Sequence, residues 1–102
     1  MSAAKAERKR AGSSFVIATR SRPDFLRDAV ESLAAQTVVP AELCIVDSSD
    51  ETPARGAIEE LCSSAGIRLD YVHPAPRGLT VQRNLGIDRT KGDPVFLIDD
   101  DV

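Results

Sequence analysis

The amino-acid sequence predicts an α/β fold, a three-layer α/β/α arrangement around a mainly parallel four-stranded sheet. Short apolar runs of strand length alternate with stretches of helical apolar spacing, in the order strand, helix, strand, helix, strand, helix, strand. That alternation is the pattern of right-handed crossover units, which build parallel sheets. A chain of 102 residues also has room for one core and no more.

Residues 1–13 read as a disordered basic tail and residues 14–102 as the domain. Ser14 to Arg20 then holds Phe15, Val16, Ile17 and Ala18, the apolar run of a strand covered on both faces. Ser21, Arg22, Pro23 and Asp24 read as a capping box with proline in the first turn, and Phe25, Leu26, Ala29, Val30, Leu33 and Ala34 follow at helical spacing. Pro40 breaks the chain ahead of Leu43 to Val46, a second buried strand ending at Asp47.

Thr52 and Pro53 are placed to cap a second helix, whose Ala54, Ala57, Ile58, Leu61 and Cys62 form one stripe and whose end is Gly66. Between Ile67 and His73, the apolar Ile67, Leu69 and Tyr71 alternate with Arg68, Asp70 and Val72. The third strand thus has a wetter face and is expected at a sheet edge. A third helix is expected to start at Thr80, run through Val81, Leu85 and Ile87, and stop near Lys91 and Gly92. Gly86 inside it costs about 1 kcal/mol relative to alanine. Pro94 to Ile98 is the most hydrophobic strand and runs directly into Asp99, Asp100 and Asp101.

Composition excludes several classes. Apolar residues make up 42% and charged residues 28%, which is globular rather than disordered. No apolar run approaches the roughly 20 residues needed to cross a bilayer, and the first residues lack a signal peptide's apolar segment. The expected compartment is therefore the cytoplasm, with peripheral attachment to a membrane allowed for a longer parent protein. Cys44 and Cys62, with the lone His73, supply neither a disulfide scaffold nor four zinc ligands, and read as core thiols. The net charge is −3, yet Lys5, Arg8, Lys9 and Arg10 stand against Glu7 in the tail, so the body is acidic. An acidic body repels phosphate backbones, and no nucleic-acid partner is expected.

In an open parallel sheet, ligands bind beyond the carboxyl ends of the strands, near the point where strand order reverses. Three strands here end in polar groups: Thr19 with Arg20, Asp47 to Asp50, and Asp99 to Asp101. Side chains alternate along an extended segment, so Asp99 and Asp101 share one side and Asp100 takes the other. Two carboxylates ~4 Å apart repel by about 4 kcal/mol at an effective dielectric of 20, so the pair calls for a cation. Carboxylate oxygens suit hard divalent ions, Mg²⁺ or Mn²⁺, which also bind phosphate oxygens, and a metal-bridged diphosphate is the guest this pattern suggests.

Acidic runs also serve simply as solvated tips. The direct succession from an apolar strand, with Asp47 and Arg20 on the same rim, favours a site. Arg77, Gly78, Arg83 and Asn84 precede the fourth strand, where guanidinium groups and a helix N-terminus would meet an anion. Exposed helix arginines are common, and by themselves these mark no site. His73 reads as a surface residue at a strand end. No Gly-x-Gly-x-x-Gly follows the first strand, which disfavours a dinucleotide dehydrogenase. A receiver-type or phosphatase-type domain would need a carboxylate where Thr19 and Arg20 stand.

Five segments in order are more specific than any one of them: Phe15 to Pro23; Glu31 to Thr37; Ile45 to Ser49; Gly78 with Arg83 to Ile87; and Gly92-Asp93 leading to Leu97 to Asp101. Carrying these, the chain from Ser14 to Val102 resembles the nucleotide-binding half of a family 2 glycosyltransferase of the Rossmann-like GT-A fold. The resemblance implies a nucleoside-diphosphate-sugar donor, such as a UDP-sugar, whose sugar passes to an acceptor. It places base and ribose at Thr19 and Asp47, with Arg20 and Ser48 beside them, and Arg83 near the nucleotide. Asp99 and Asp101 match the outer positions of the family's Asp-x-Asp motif, which holds the metal, and Asp100 would lie towards the ribose or sugar.

One departure is Ser48, where the family often has a second aspartate. In the family the general base comes later in the chain. The sequence stops one residue after Asp101, so a fragment lacking acceptor site and base is expected, with little turnover and with self-association through an open sheet. A noncatalytic nucleotide-binding or metal-binding module would share the same rim and is the alternative reading.

Overall fold

The computed structural model describes residues 12–99. β1 (Ser14–Thr19) decides the architecture, because Val16 is 1% exposed on one face and Ile17 0% on the other. A strand apolar on both sides must lie inside a sheet whose faces are both covered. β1 accordingly pairs in parallel with β2 (Glu42–Asp47) on one side and with β4 (Val95–Asp99) on the other. β3 (Arg68–Val72) adds in parallel to the far side of β2, giving the order β3-β2-β1-β4.

From β1 the chain steps outward through α1 (Pro23–Ala34) to β2 and through α2 (Arg55–Ala65) to β3. It then returns through α3 (Leu79–Arg89) to β4, on the opposite side of β1. Right-handed crossovers taken in opposite directions put their helices on opposite faces. Leu26, Val30 and Leu33 of α1 and Ile58 and Cys62 of α2 pack with Ile17, Leu43 and Ile45 in one apolar core. Leu85 of α3 packs against a smaller cluster of Val16, Cys44 and Val46 on the other face. The three-layer parallel α/β fold expected from the sequence is the observed one.

Local differences have local causes. Ser21 does not cap α1: its φ is 57°, and its N–H donates to Ser49 Oγ at 2.5 Å, so Arg22 takes the N-cap position without a side-chain cap. Thr52 does not cap α2 with its hydroxyl either; its carbonyl accepts from Arg55 N at 3.1 Å, and Ala54 precedes the helix. Ala57, expected in the buried stripe, is exposed, whereas Ala65 is buried. Gly66 ends the helix as expected, with a left-handed φ of 77°.

The larger correction concerns α3. The apolar stripe expected there is not the buried face: Val81 is 51% and Ile87 40% exposed, while Gln82 and Gly86 are buried. Gly86 explains this, because a Cβ at that position would lie 2.2 Å from Val16 Cγ1. The helix sits so close to β1 that only a hydrogen fits between them. β3 occupies an edge as expected, and β4 forms the other edge, with Phe96 46% and Leu97 45% exposed. The Phe96 ring stacks on Phe15 with centroids 4.9 Å apart, which ties this edge to the core.

At the amino edge of the sheet, Glu42 is 7% exposed and accepts from Ser14 Oγ, from Arg68 Nη2 at 2.8 Å and from the backbone N–H groups of Lys91 and Gly92 at 2.6 and 3.1 Å. Burial by itself raises this carboxyl. The hydrogen bonds from Ser14, Lys91 and Arg68, with the Arg68 charge, outweigh it and hold the group down at about 2. Gly92 completes the knot, since a Cβ there would meet Ser14 Oγ at 2.2 Å.

Two outcomes follow from this packing. Gly86→Ala is expected to cost about 1–3 kcal/mol in urea unfolding by overpacking against Val16, despite alanine's better helix propensity. Because the Glu42 carboxyl is depressed in the fold, its stabilisation is complete above its ordinary value of 4.5 and is lost as pH falls toward about 2. The measurement is unfolding free energy against pH, which should fall across that window in the native chain and less steeply in Glu42→Gln.

Candidate functional site

Parallel register brings the strand ends together. Thr19 closes β1 opposite Asp47 of β2, and Asp99, the last residue of β4, follows Ile98, which lies opposite Ile17. The backbone of all three thus reaches the carboxyl edge of the sheet, and β1 and β4 flank the point at which strand order reverses. Asp100 and Asp101 lie outside the described residues, so the acidic triplet enters the structure through the Asp99 backbone alone.

Around that edge the loops after β1 and β2 lock together. Ser48 N donates to Thr19 O at 3.1 Å, Arg20 Nη1 donates to Ser48 O, and the Ser21 N–H reaches Ser49 Oγ. Thr19, Asp47, Ser48 and Ser49 are all buried, at 3%, 3%, 6% and 8% exposure. The expected Thr19, Arg20, Asp47 and Ser48 therefore form one constellation. The Ser48 hydroxyl is enclosed without a hydrogen-bond partner. Positive φ at Ser21 stores backbone strain at this edge, as functional loops often do.

Asp47 is held at both oxygens. Oδ1 accepts from Ser49 N at 2.8 Å and Oδ2 from the Tyr71 hydroxyl at 2.6 Å. Its carbonyl accepts from Ala75 N at 3.0 Å. His73, expected at the surface, is half-buried instead, with Nε2 2.8 Å from Ser49 O; a carbonyl only accepts, so that nitrogen carries the proton. A narrow cleft of about 10 Å³ opens beside these groups, lined by Thr19, Arg22, Pro23, Asp47, Ser49 and Tyr71 and closed by the turn from Thr52 to Ala54.

Two contributors escaped the sequence reading. Gln82, on α3, donates its side-chain amide to Thr19 O at 3.1 Å and to Val46 O at 2.9 Å, tying the helix to the carboxyl ends of both central strands. Its neighbour Arg83 is half-buried in the same helix. The signal for this face was the spacing of Gln82 and Gly86, four residues apart and so on one side of a helix. Tyr71 was read only as the apolar member of an alternating strand.

The thiols contribute no nucleophile. Burial, helped by the Asp70 charge, pushes Cys44 up to about 12, and burial pushes Cys62 up to about 11, so both stay protonated in the core. Among the described residues no group of three or more His, Cys, Asp or Glu side chains is placed to hold a metal ion, and no helix is long and apolar enough to cross a membrane.

A parallel sheet with a polar constellation at the carboxyl ends of its strands is a frame on which α/β domains bind ligands. The model of the family described as Glycosyl transferase family 2 matches residues 14–102, and the chain belongs to that family. It is 33% identical over 78 residues to the uncharacterized glycosyltransferase EpsJ of Bacillus subtilis (strain 168), covering 76% of this chain and 22% of that protein. It is 34% identical over 90 residues to the uncharacterized glycosyltransferase YwdF of the same organism, covering 86% of this chain and 32% of the relative. The chain thus spans between about a fifth and a third of the length of these relatives.

Replacing Gln82 by leucine would remove one donor from each of the Thr19 and Val46 carbonyls. The expected cost is about 1–3 kcal/mol in urea unfolding, with faster amide hydrogen exchange at Ser48.

Proposed function

We propose that the carboxyl edge binds a nucleoside-diphosphate sugar for transfer of the sugar to an acceptor. The observation that carries this reading is the arrival of Thr19, Asp47 and the Asp99 backbone at one edge, beside the reversal of strand order. Family membership supports a glycosyl-transfer role. Thr19, Arg20, Asp47 and Ser48 take the base and ribose; Arg83 approaches the phosphates; and Asp100 lies towards the ribose or sugar. The enclosed and unpartnered Ser48 hydroxyl suits a polar guest at that position.

The donor set also fits a divalent cation. Asp99 and Asp101 supply hard carboxylate oxygens of the kind that holds Mg²⁺ or Mn²⁺. When bound, the metal supplies Lewis-acid stabilisation of the charge that develops on the departing diphosphate. This chain's own contribution is to bind and orient the nucleotide against a buried, rigid strand end. The acceptor, and the base that takes its proton, are assigned to no residue here.

Calorimetric titration with UDP and GDP, with and without Mn²⁺, tests the reading. Metal-dependent diphosphate binding is expected in the native chain and a loss of at least about tenfold in Asp99→Ala/Asp101→Ala, which corresponds to about 1.4 kcal/mol. Equal binding by both proteins would rule out the metal site.

A further inference from the structure

Both oxygens of the Asp47 carboxylate are pinned, one of them by a side chain from the neighbouring edge strand. We propose that Tyr71 is a positioning residue: its phenol sets the orientation of Asp47 and through it the affinity of the edge for nucleotide. The inference rests on the nucleotide-binding reading of that edge.

Tyr71 lies opposite Ile45 in the β2–β3 register, two residues before Asp47, and its ring spans that distance along β2 to deliver the hydroxyl to Oδ2 at 2.6 Å. Ser49 N–H holds Oδ1 at 2.8 Å from the other side. A carboxylate offers about four lone-pair positions, and two donors fix its plane while leaving two positions for a guest. The ring is itself held in place, packed against the larger core, with the Arg55 guanidinium carbon 4.7 Å from its centroid. Burial, and then the bond to Asp47, push the phenol above its ordinary range, so it remains a donor at any working pH.

Among the described residues, the donors that meet the Asp47 side chain, the Tyr71 hydroxyl and the Ser49 N–H, are neutral. Glu42, at the opposite end of the same strand, is by contrast matched by the Arg68 cation. A carboxylate oriented by neutral donors keeps its charge available to a ligand, and that is the physical basis for assigning the phenol a role in binding beyond folding.

Phenylalanine at this position keeps the ring, its packing and the Arg55 contact, and removes only the donor. The test is calorimetric titration of the 102-residue chain with UDP and GDP in Mn²⁺. Four proteins are compared, with their melting temperatures: native, Tyr71→Phe, Asp47→Asn and the double variant. Tyr71→Phe is expected to weaken nucleotide binding about tenfold with its melting temperature within a few degrees of native. Asp47→Asn should weaken it at least as much, and the double variant no further than Asp47→Asn alone, because the phenol acts through that acid.

Native-like affinity in Tyr71→Phe beside a loss in Asp47→Asn overturns the inference and leaves the site standing. Additive losses overturn it too, as does a drop of more than about ten degrees in the melting temperature of Tyr71→Phe, which marks a folding role. No nucleotide binding by the native chain overturns both the inference and the site.

Discussion

Parallel pairing on both sides of β1 is the constraint on which the rest of the molecule depends. β1 can be apolar on both faces only if helices cover both, and helices arrive on both faces only if the chain leaves β1 first in one direction and later in the other. The same pairing makes every strand end at the same edge. The site is therefore a consequence of topology: the residues that follow Ala18, Val46 and Ile98 meet because parallel strands in register have nowhere else to put their ends.

The two ends of β2 show how one strand serves two purposes. Glu42 begins it and Asp47 ends it, and both carboxylates are buried. Glu42 is surrounded by a hydroxyl, two backbone N–H groups and an arginine, all of them drawn from the amino ends of β1 and β3 and from the turn before β4. It closes the sheet at that edge, and its charge is neutralised in place. Asp47 is met by a phenol and one backbone N–H, both neutral. The first acid ties the amino ends of the strands together, and the second lies at the edge where ligands of such sheets bind.

α3 is the least expected element. Its outward side carries Val81 and Ile87, and its inward side a glycine and a glutamine. Close approach replaces apolar bulk as the packing device: Gly86 lets the backbone settle on Val16, and Gln82 then reaches the carbonyls of Thr19 and Val46. A buried amide in such a place contributes orientation as much as stability, since it registers the helix against two strands at once.

Fold class, element order, the edge position of β3, the Gly66 stop and the buried thiols were all legible from periodicity and turn chemistry, which are properties of short stretches of chain. So were the residue types at the strand ends, because an apolar run that stops at a polar residue marks its own boundary. The Tyr71 bond to Asp47, the Glu42 knot, the buried face of α3 and the Ser21 bond to Ser49 were not legible. Each joins residues distant in sequence: 24 positions separate Tyr71 from Asp47, and 63 separate Gln82 from Thr19. Local pattern settles which segments are strands and helices, but hydrogen bonds and close backbone approaches between them depend on the relative placement of whole elements, and only packing in three dimensions decides that.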